Sequence, residues 1–153
     1  MRDKQWGCSK GGLSDRLSLP SDSAFASGKE FTNETIERVL ELCGKDHIVG
    51  LSILGGEPLH PKNIDATTHL AKAFKEKYPN KSLWVWSGFL FDRDLKDKEI
   101  LKYIDVLVDG QFMIDEADPT LEWRGSRNQR VIDVKESIKN NKIISYLDEK
   151  VIA

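Results

Sequence analysis

The chain has 153 residues, enough for one domain with a buried core and short for two. Its 23 basic and 25 acidic residues leave a net charge of −2, which argues against a nonspecific nucleic-acid partner or a polybasic membrane surface. No apolar run approaches the roughly 20 residues that cross a bilayer, and Met1-Arg2-Asp3-Lys4 leads into a polar segment, so a cytoplasmic protein is expected.

Residues 1 to 28 are rich in Ser, Gly and Asp, hold no sustained period of two or 3.6, and read as an irregular N-terminal segment before a domain over 29 to 153. From Lys29 the pattern changes. Thr32 suits a helix N-cap, Glu34 falls in the positive first turn, and Ile36, Val39, Leu40 and Cys43 recur at helical spacing before Gly44. Cys43 is therefore read as a core residue. With Cys8 it forms neither a disulfide framework nor a C-x2-C zinc pair.

An apolar run from Ile48 to Leu54 predicts a buried strand, and Gly55-Gly56-Glu57-Pro58 follows it at once. Two glycines allow a sharp turn that brings bare backbone groups close to a ligand, Glu57 can accept from a cationic amine, and Pro58 stiffens the exit. The plainer alternative is a tight turn with a solvated Glu57.

A helix is predicted from about Asn63 to Tyr78, ended by Pro79-Asn80, then a strand from Ser82 to Trp86, a helix from Asp94 to Tyr103 and a strand from Asp105 to Val108. Alternation with short connections implies βαβ units and a parallel sheet, either doubly wound or part of a barrel. Ligands then bind at the carboxyl ends of strands, where Gly55-Gly56-Glu57, Ser87-Gly88 and Asp109-Gly110 all fall. Beyond Gly110, the run Trp123 to Arg130 carries three arginines that could bind an anion or partner carboxylates. Val134 to Lys139 predicts a helix, and Ile143 to Leu147 a final strand. His47, His60 and His69 have no second metal-type residue at ligand spacing and read as strand-start, loop and helix-surface residues.

Five ordered blocks carry a family resemblance: Lys29-Glu30-Phe31-Thr32, Gly50 to Leu59, Leu83 to Phe89, Ile104 to Phe112 and Trp123 to Asp133. Together they resemble the anaerobic ribonucleoside-triphosphate reductase activating proteins of the radical S-adenosylmethionine superfamily. The resemblance implies an α/β fold of the incomplete (β/α) barrel type. It also implies a [4Fe-4S] cluster that cleaves S-adenosylmethionine reductively, a reductant such as flavodoxin, and a glycyl radical formed on the large reductase subunit. It assigns Gly55, Gly56 and Glu57 to the amino group of the cofactor's methionine part, with Ser87 and Asp109 lining the same pocket.

One departure stands out. The family draws its cluster ligands from C-x3-C-x2-C on the loop after the first strand, since three thiolates hold three irons and leave the fourth open. Here the positions four and seven beyond Cys8 are Gly12 and Asp15. The expectation is that the first strand and the cluster loop are both lacking, with residues 1 to about 24 a truncated or frame-shifted replacement. Two alternative functions follow: a cluster-free, non-catalytic binding fragment, or activation of another glycyl-radical enzyme such as pyruvate formate-lyase. No general base is nominated.

Overall fold

A computed structural model describes residues 16–19 and 30–147. Five strands lie side by side in chain order: β1 (Arg16–Leu19), β2 (Gly50–Ile53), β3 (Ser82–Trp86), β4 (Val106–Asp109) and β5 (Arg130–Asp133). The first four run parallel, with Leu17 in register with Leu51, Leu51 with Leu83 and Val85 with Leu107. The last is antiparallel to β4, with Ile132 against Leu107. Three helices accompany them: α1 (Asn33–Cys43), α2 (Ile64–Lys77) and α3 (Val134–Asn140), with short 3-10 turns at Glu99–Lys102 and Ile114–Glu116. Among the described residues no helix is long and apolar enough to cross a membrane.

The helices form where the residues favour them. Thr35 Oγ1 accepts from the Thr32 N–H at 3.3 Å to close the start of α1, and the Asp133 carboxylate accepts from the Glu136 N–H at 2.9 Å at the start of α3. At the end of α1, Tyr78 Oη donates to the Leu40 carbonyl at 2.7 Å and Lys81 Nζ to that of Cys43 at 2.6 Å, which ties α1 to the segment after α2. A side chain at Gly44 would meet the Tyr78 hydroxyl at 2.6 Å, so only glycine lets the two approach.

Parallel neighbours joined by right-handed crossovers that all step in one direction place their helices on one face of the sheet. The core shows this. Val39, Leu40 and Cys43 of α1 and Leu70, Ala71 and Phe74 of α2 pack with Leu51, Leu83, Val85, Leu107 and Ile132 from alternate strand positions. The opposite face carries Trp84, Val106, Val108 and Val131, covered by Trp86, Trp123, Tyr146 and Leu147.

Four expectations need correction. The first strand is present: Arg16–Leu19 pairs along β2, and its alternation of Leu17 and Leu19 with polar residues is too short to stand out from the irregular segment around it. The helix predicted over Asp94 to Tyr103 is only the 3-10 turn Glu99–Lys102, because the buried Leu95, Ile100, Leu101 and Ile104 do not fall on one helical stripe. The sheet is not wholly parallel, since β5 returns antiparallel from β4. The final strand reduces to one bridge between Ile132 and Ser145, because the Ile144 N–H is taken by Ser137 Oγ at 2.9 Å instead of a ladder carbonyl.

At the amino-terminal end of the sheet, the Asp105 carboxylate accepts from Lys75 Nζ of α2 at 2.9 Å, Lys135 Nζ of α3 at 2.6 Å and the Leu83 N–H of β3 at 2.7 Å. Burial opposes its ionisation, but Lys135, Lys75 and the Leu83 amide outweigh burial and hold its pKa below the ordinary 3.8. Because the folded value is the lower one, this contribution is present above about pH 3.8 and lost as pH falls further. Asp105→Ala, which strands Lys75 and the Leu83 amide, is expected to cost about 3 kcal/mol in urea unfolding at pH 7. The gap between wild type and variant should narrow as pH drops below 4, and a pH-independent gap would contradict the assignment.

Candidate functional site

At the carboxyl end of β2 the chain takes three successive left-handed residues, Gly55 (φ 79°), Gly56 (φ 53°) and Glu57 (φ 46°). The glycines adopt this freely. For Glu57 the conformation costs on the order of 1 kcal/mol, and the hydrogen bonds of its side chain offset that cost. Its Oε1 accepts from Ser87 Oγ at 2.6 Å and the Leu59 N–H at 3.2 Å, and its Oε2 from the Gly88 N–H at 2.7 Å. All three donors are neutral, and no ion pair among the described residues involves Glu57. The result is a half-buried carboxylate whose charge is solvated by dipoles alone, beside two exposed glycines.

Helix α2 supports the turn from below. Asn63 Nδ2 donates to the carbonyls of Gly56 at 3.2 Å and Glu57 at 3.1 Å, and Thr67 Oγ1 donates to that of Pro58 at 2.8 Å. Sequence reasoning missed Asn63. The available signal was its position as the capping residue of α2, where an amide side chain commonly serves backbone groups.

The next strand exit is pinned from both sides. Ser87 and Gly88 are held by Glu57, and the Phe91 N–H donates to Asp109 Oδ2 at 2.8 Å. Asp109 is fully buried and paired with Arg130, which donates through Nε to Oδ1 at 2.9 Å and through a terminal nitrogen to Oδ2 at 2.5 Å. Those bonds, opposed by burial and reinforced by Asp92 at 2.8 Å, raise the guanidinium's pKa further. The structure thus gathers Gly55, Gly56, Glu57 and Ser87 into one site. Asp109 belongs to the same end of the sheet, but its carboxylate is directed to Arg130 and the loop backbone.

The arginine-rich run is also internally engaged. Arg124 donates to the Gln129 carbonyl at 2.7 Å, Arg127 pairs with Asp118 at 3.3 Å, and Arg130 holds Asp109. Gln129 Oε1 accepts from the Gly125 and Ser126 amides at 2.9 and 3.1 Å, while its Nε2 donates to the Gly110 carbonyl at 2.9 Å. This block braces the loop between β4 and β5, with Arg124 and Arg130 serving the fold and Arg127 largely exposed. The three histidines are exposed, as read from the sequence, and Cys43 is fully buried in the core.

The residues present do not fit a [4Fe-4S] cluster. With β1 ending at Leu19 and α1 capped by Thr32, the sequence between them, 20–31, contains no cysteine. Cys8 precedes β1 and lies outside the described residues, while Cys43 is enclosed by apolar side chains. Among the described residues no group of three His, Cys, Asp or Glu could hold a metal ion.

Comparison with known proteins bears on the same scaffold. Residues 16–132 match the family described as "4Fe-4S single cluster domain". The chain is 41% identical over 109 residues to the anaerobic ribonucleoside-triphosphate reductase-activating protein of Vibrio cholerae serotype O1, covering 69% of this chain and 70% of that one. It is 39% identical over 106 residues to the protein of that name from Enterobacteria phage T4, covering 69% and 66%. The Escherichia coli K12 protein of that name is 37% identical over 108 residues, covering 69% and 70%. No solved structure matches.

If Glu57 positions the second exit, Glu57→Ala should free the Gly88 amide. Hydrogen exchange at that amide is expected to accelerate at least about tenfold while the amides of β3 stay protected. Unchanged exchange at Gly88 would show that the loop holds itself.

Proposed function

Because this chain belongs to the anaerobic ribonucleoside-triphosphate reductase-activating proteins, within the 4Fe-4S single cluster domain family, we propose that its partner is the large subunit of that reductase. We further propose that the turn at Gly55-Gly56-Glu57 receives the methionine part of S-adenosylmethionine. The carrying observation is the unpaired carboxylate: Glu57 is half-buried, tied down by neutral donors and placed beside exposed glycine backbone, which suits a ligand ammonium. Ser87 holds the carboxylate in place, and Asp109 acts from a distance by fixing the loop that follows β3.

The sheet is read as an incomplete (β/α) barrel of the radical S-adenosylmethionine type, with the domain starting at β1. Spatial order equal to chain order supports this, since a doubly wound sheet reverses its order at a switch point. A cytoplasmic site of action accords with the family role.

Activation of the reductase through reductive cleavage of S-adenosylmethionine is the family's reaction. In this chain the sequence after β1 up to α1 carries no cysteine, so a reductant such as flavodoxin has no cluster to meet there. That observation favours a cluster-free member that binds cofactor and partner. The names of the relatives favour the reductase over pyruvate formate-lyase as partner.

Two measurements test these readings. In anaerobic calorimetry, Glu57→Gln is expected to weaken S-adenosylmethionine binding about tenfold, in line with loss of one charge-assisted contact, and acetylation of the ligand's amine should abolish binding. Equal affinity for both proteins would remove the amino-group assignment. Anaerobic reconstitution with iron and sulfide should leave well under four irons per chain and yield no 5′-deoxyadenosine under a strong reductant. A full cluster with cofactor cleavage would overturn the cluster-free reading.

A further inference from the structure

The loop after β4 presents three consecutive large apolar side chains to solvent: Phe112, Met113 and Ile114, exposed by 54%, 45% and 77%. Such a run at a loop tip is unusual on a folded surface unless something covers it. It is also firmly built. The Met113 N–H donates to Ser126 Oγ at 3.2 Å, and the Arg127 N–H to the Glu116 carbonyl at 2.9 Å. A side chain at Gly125 would stand 3.0 Å from the Phe112 ring, so glycine there lets the ring lie against the brace. These contacts tie the tip to the brace, which lowers the entropy lost on docking.

Its charge selects among occupants. From Gln111 to Glu122 the chain carries Asp115, Glu116, Asp118 and Glu122 and no lysine or arginine. Asp118 is matched by Arg127, while Asp115 and Glu116 directly follow the apolar tip with no ion pair among the described residues. A second copy meeting this surface through the same patch would set acid against acid, and an anionic lipid surface would be repelled in the same way. A protein slot with an apolar floor and a basic rim is complementary on both counts. Position adds to the case: a side chain at Gly88 would lie 3.2 Å from the Glu57 carboxylate and 3.6 Å from Gln111 Cγ, so the tip begins where the candidate cofactor site ends.

We propose that Phe112-Met113-Ile114, with Asp115 and Glu116 at its edge, is the surface that docks the reductase large subunit through an apolar, basic-rimmed slot on that partner. This rests on the family reading given above. Docking there would set the partner directly over the mouth of the Gly55-Gly56-Glu57 site.

The test is surface plasmon resonance between the full chain and the purified large subunit at low and high salt. Ile114→Asp is expected to weaken binding at least about tenfold, as for an anchor residue at an interface centre, with S-adenosylmethionine affinity unchanged. Asp115→Lys should weaken binding at low salt and flatten its salt dependence. If both variants bind like wild type, the docking surface is refuted and the family reading stands. If wild type does not bind the large subunit at all, the partner reading fails and the proposal with it. If sedimentation instead shows a wild-type dimer that Ile114→Asp dissociates, the occupant is a second copy and the proposal is wrong.

Discussion

Two carboxylates at the ends of the strands that flank β3 fix the geometry of the loop between them. Glu57 leaves β2 and reaches across to the Ser87 hydroxyl and Gly88 amide, and Asp109 at the end of β4 reaches back to the Phe91 amide. The loop between them is thus held by its neighbours on both sides as well as by its own bonds, the Phe89 N–H to Ser87 Oγ at 3.1 Å and the Leu90 N–H to Asp94 at 2.8 Å. Because the two carboxylates are charged, each bond to them is stronger than a neutral one, and the loop sits in a fixed place relative to the glycine turn. A ligand site needs that kind of rigidity, since a turn free to move would lose its alignment with whatever lies across the sheet.

The two carboxylates achieve this under different electrostatic conditions. Asp109 is fully buried and matched by a bidentate guanidinium, so its charge is settled within the fold. Among the described residues Glu57 has only neutral donors, and it lies nearer the surface. Residues that share a chemical type and a place at the sheet's carboxyl end therefore differ in setting: one is closed within the fold, and the other lies at its half-buried edge.

The sequence disclosed some of this and concealed the rest for identifiable reasons. Helices α1 and α2 were legible because Ile36, Val39, Leu40 and Cys43, and Leu70, Ala71 and Phe74, keep helical spacing over an uninterrupted stretch. The strand Ser82–Trp86 was legible from its unbroken apolar run. Strand β1 was hidden because its identity depends on pairing with β2, a long-range constraint that four residues cannot announce. The purpose of the arginines was hidden for a related reason: Arg130 and Asp109 are 21 residues apart, and only the antiparallel return of β5 sets them opposite each other. Gly55-Gly56-Glu57 could be read as a site, yet the grip of Glu57 on Ser87, 30 residues away, could not.

The second face of the sheet has a spectroscopic side. Trp84 lies 5.7 Å from Trp86 and 4.8 Å from Trp123, and meets the edge of Tyr146 at 5.1 Å, while the Trp86 indole N–H donates to the Trp123 carbonyl at 2.8 Å. Three of the four tryptophans in the chain thus form one electronically coupled group. Their near-ultraviolet dichroism and emission report on a single event, the seating of the β4–β5 loop and the C-terminal segment over the sheet. The protein carries an internal optical gauge of whether that face is closed.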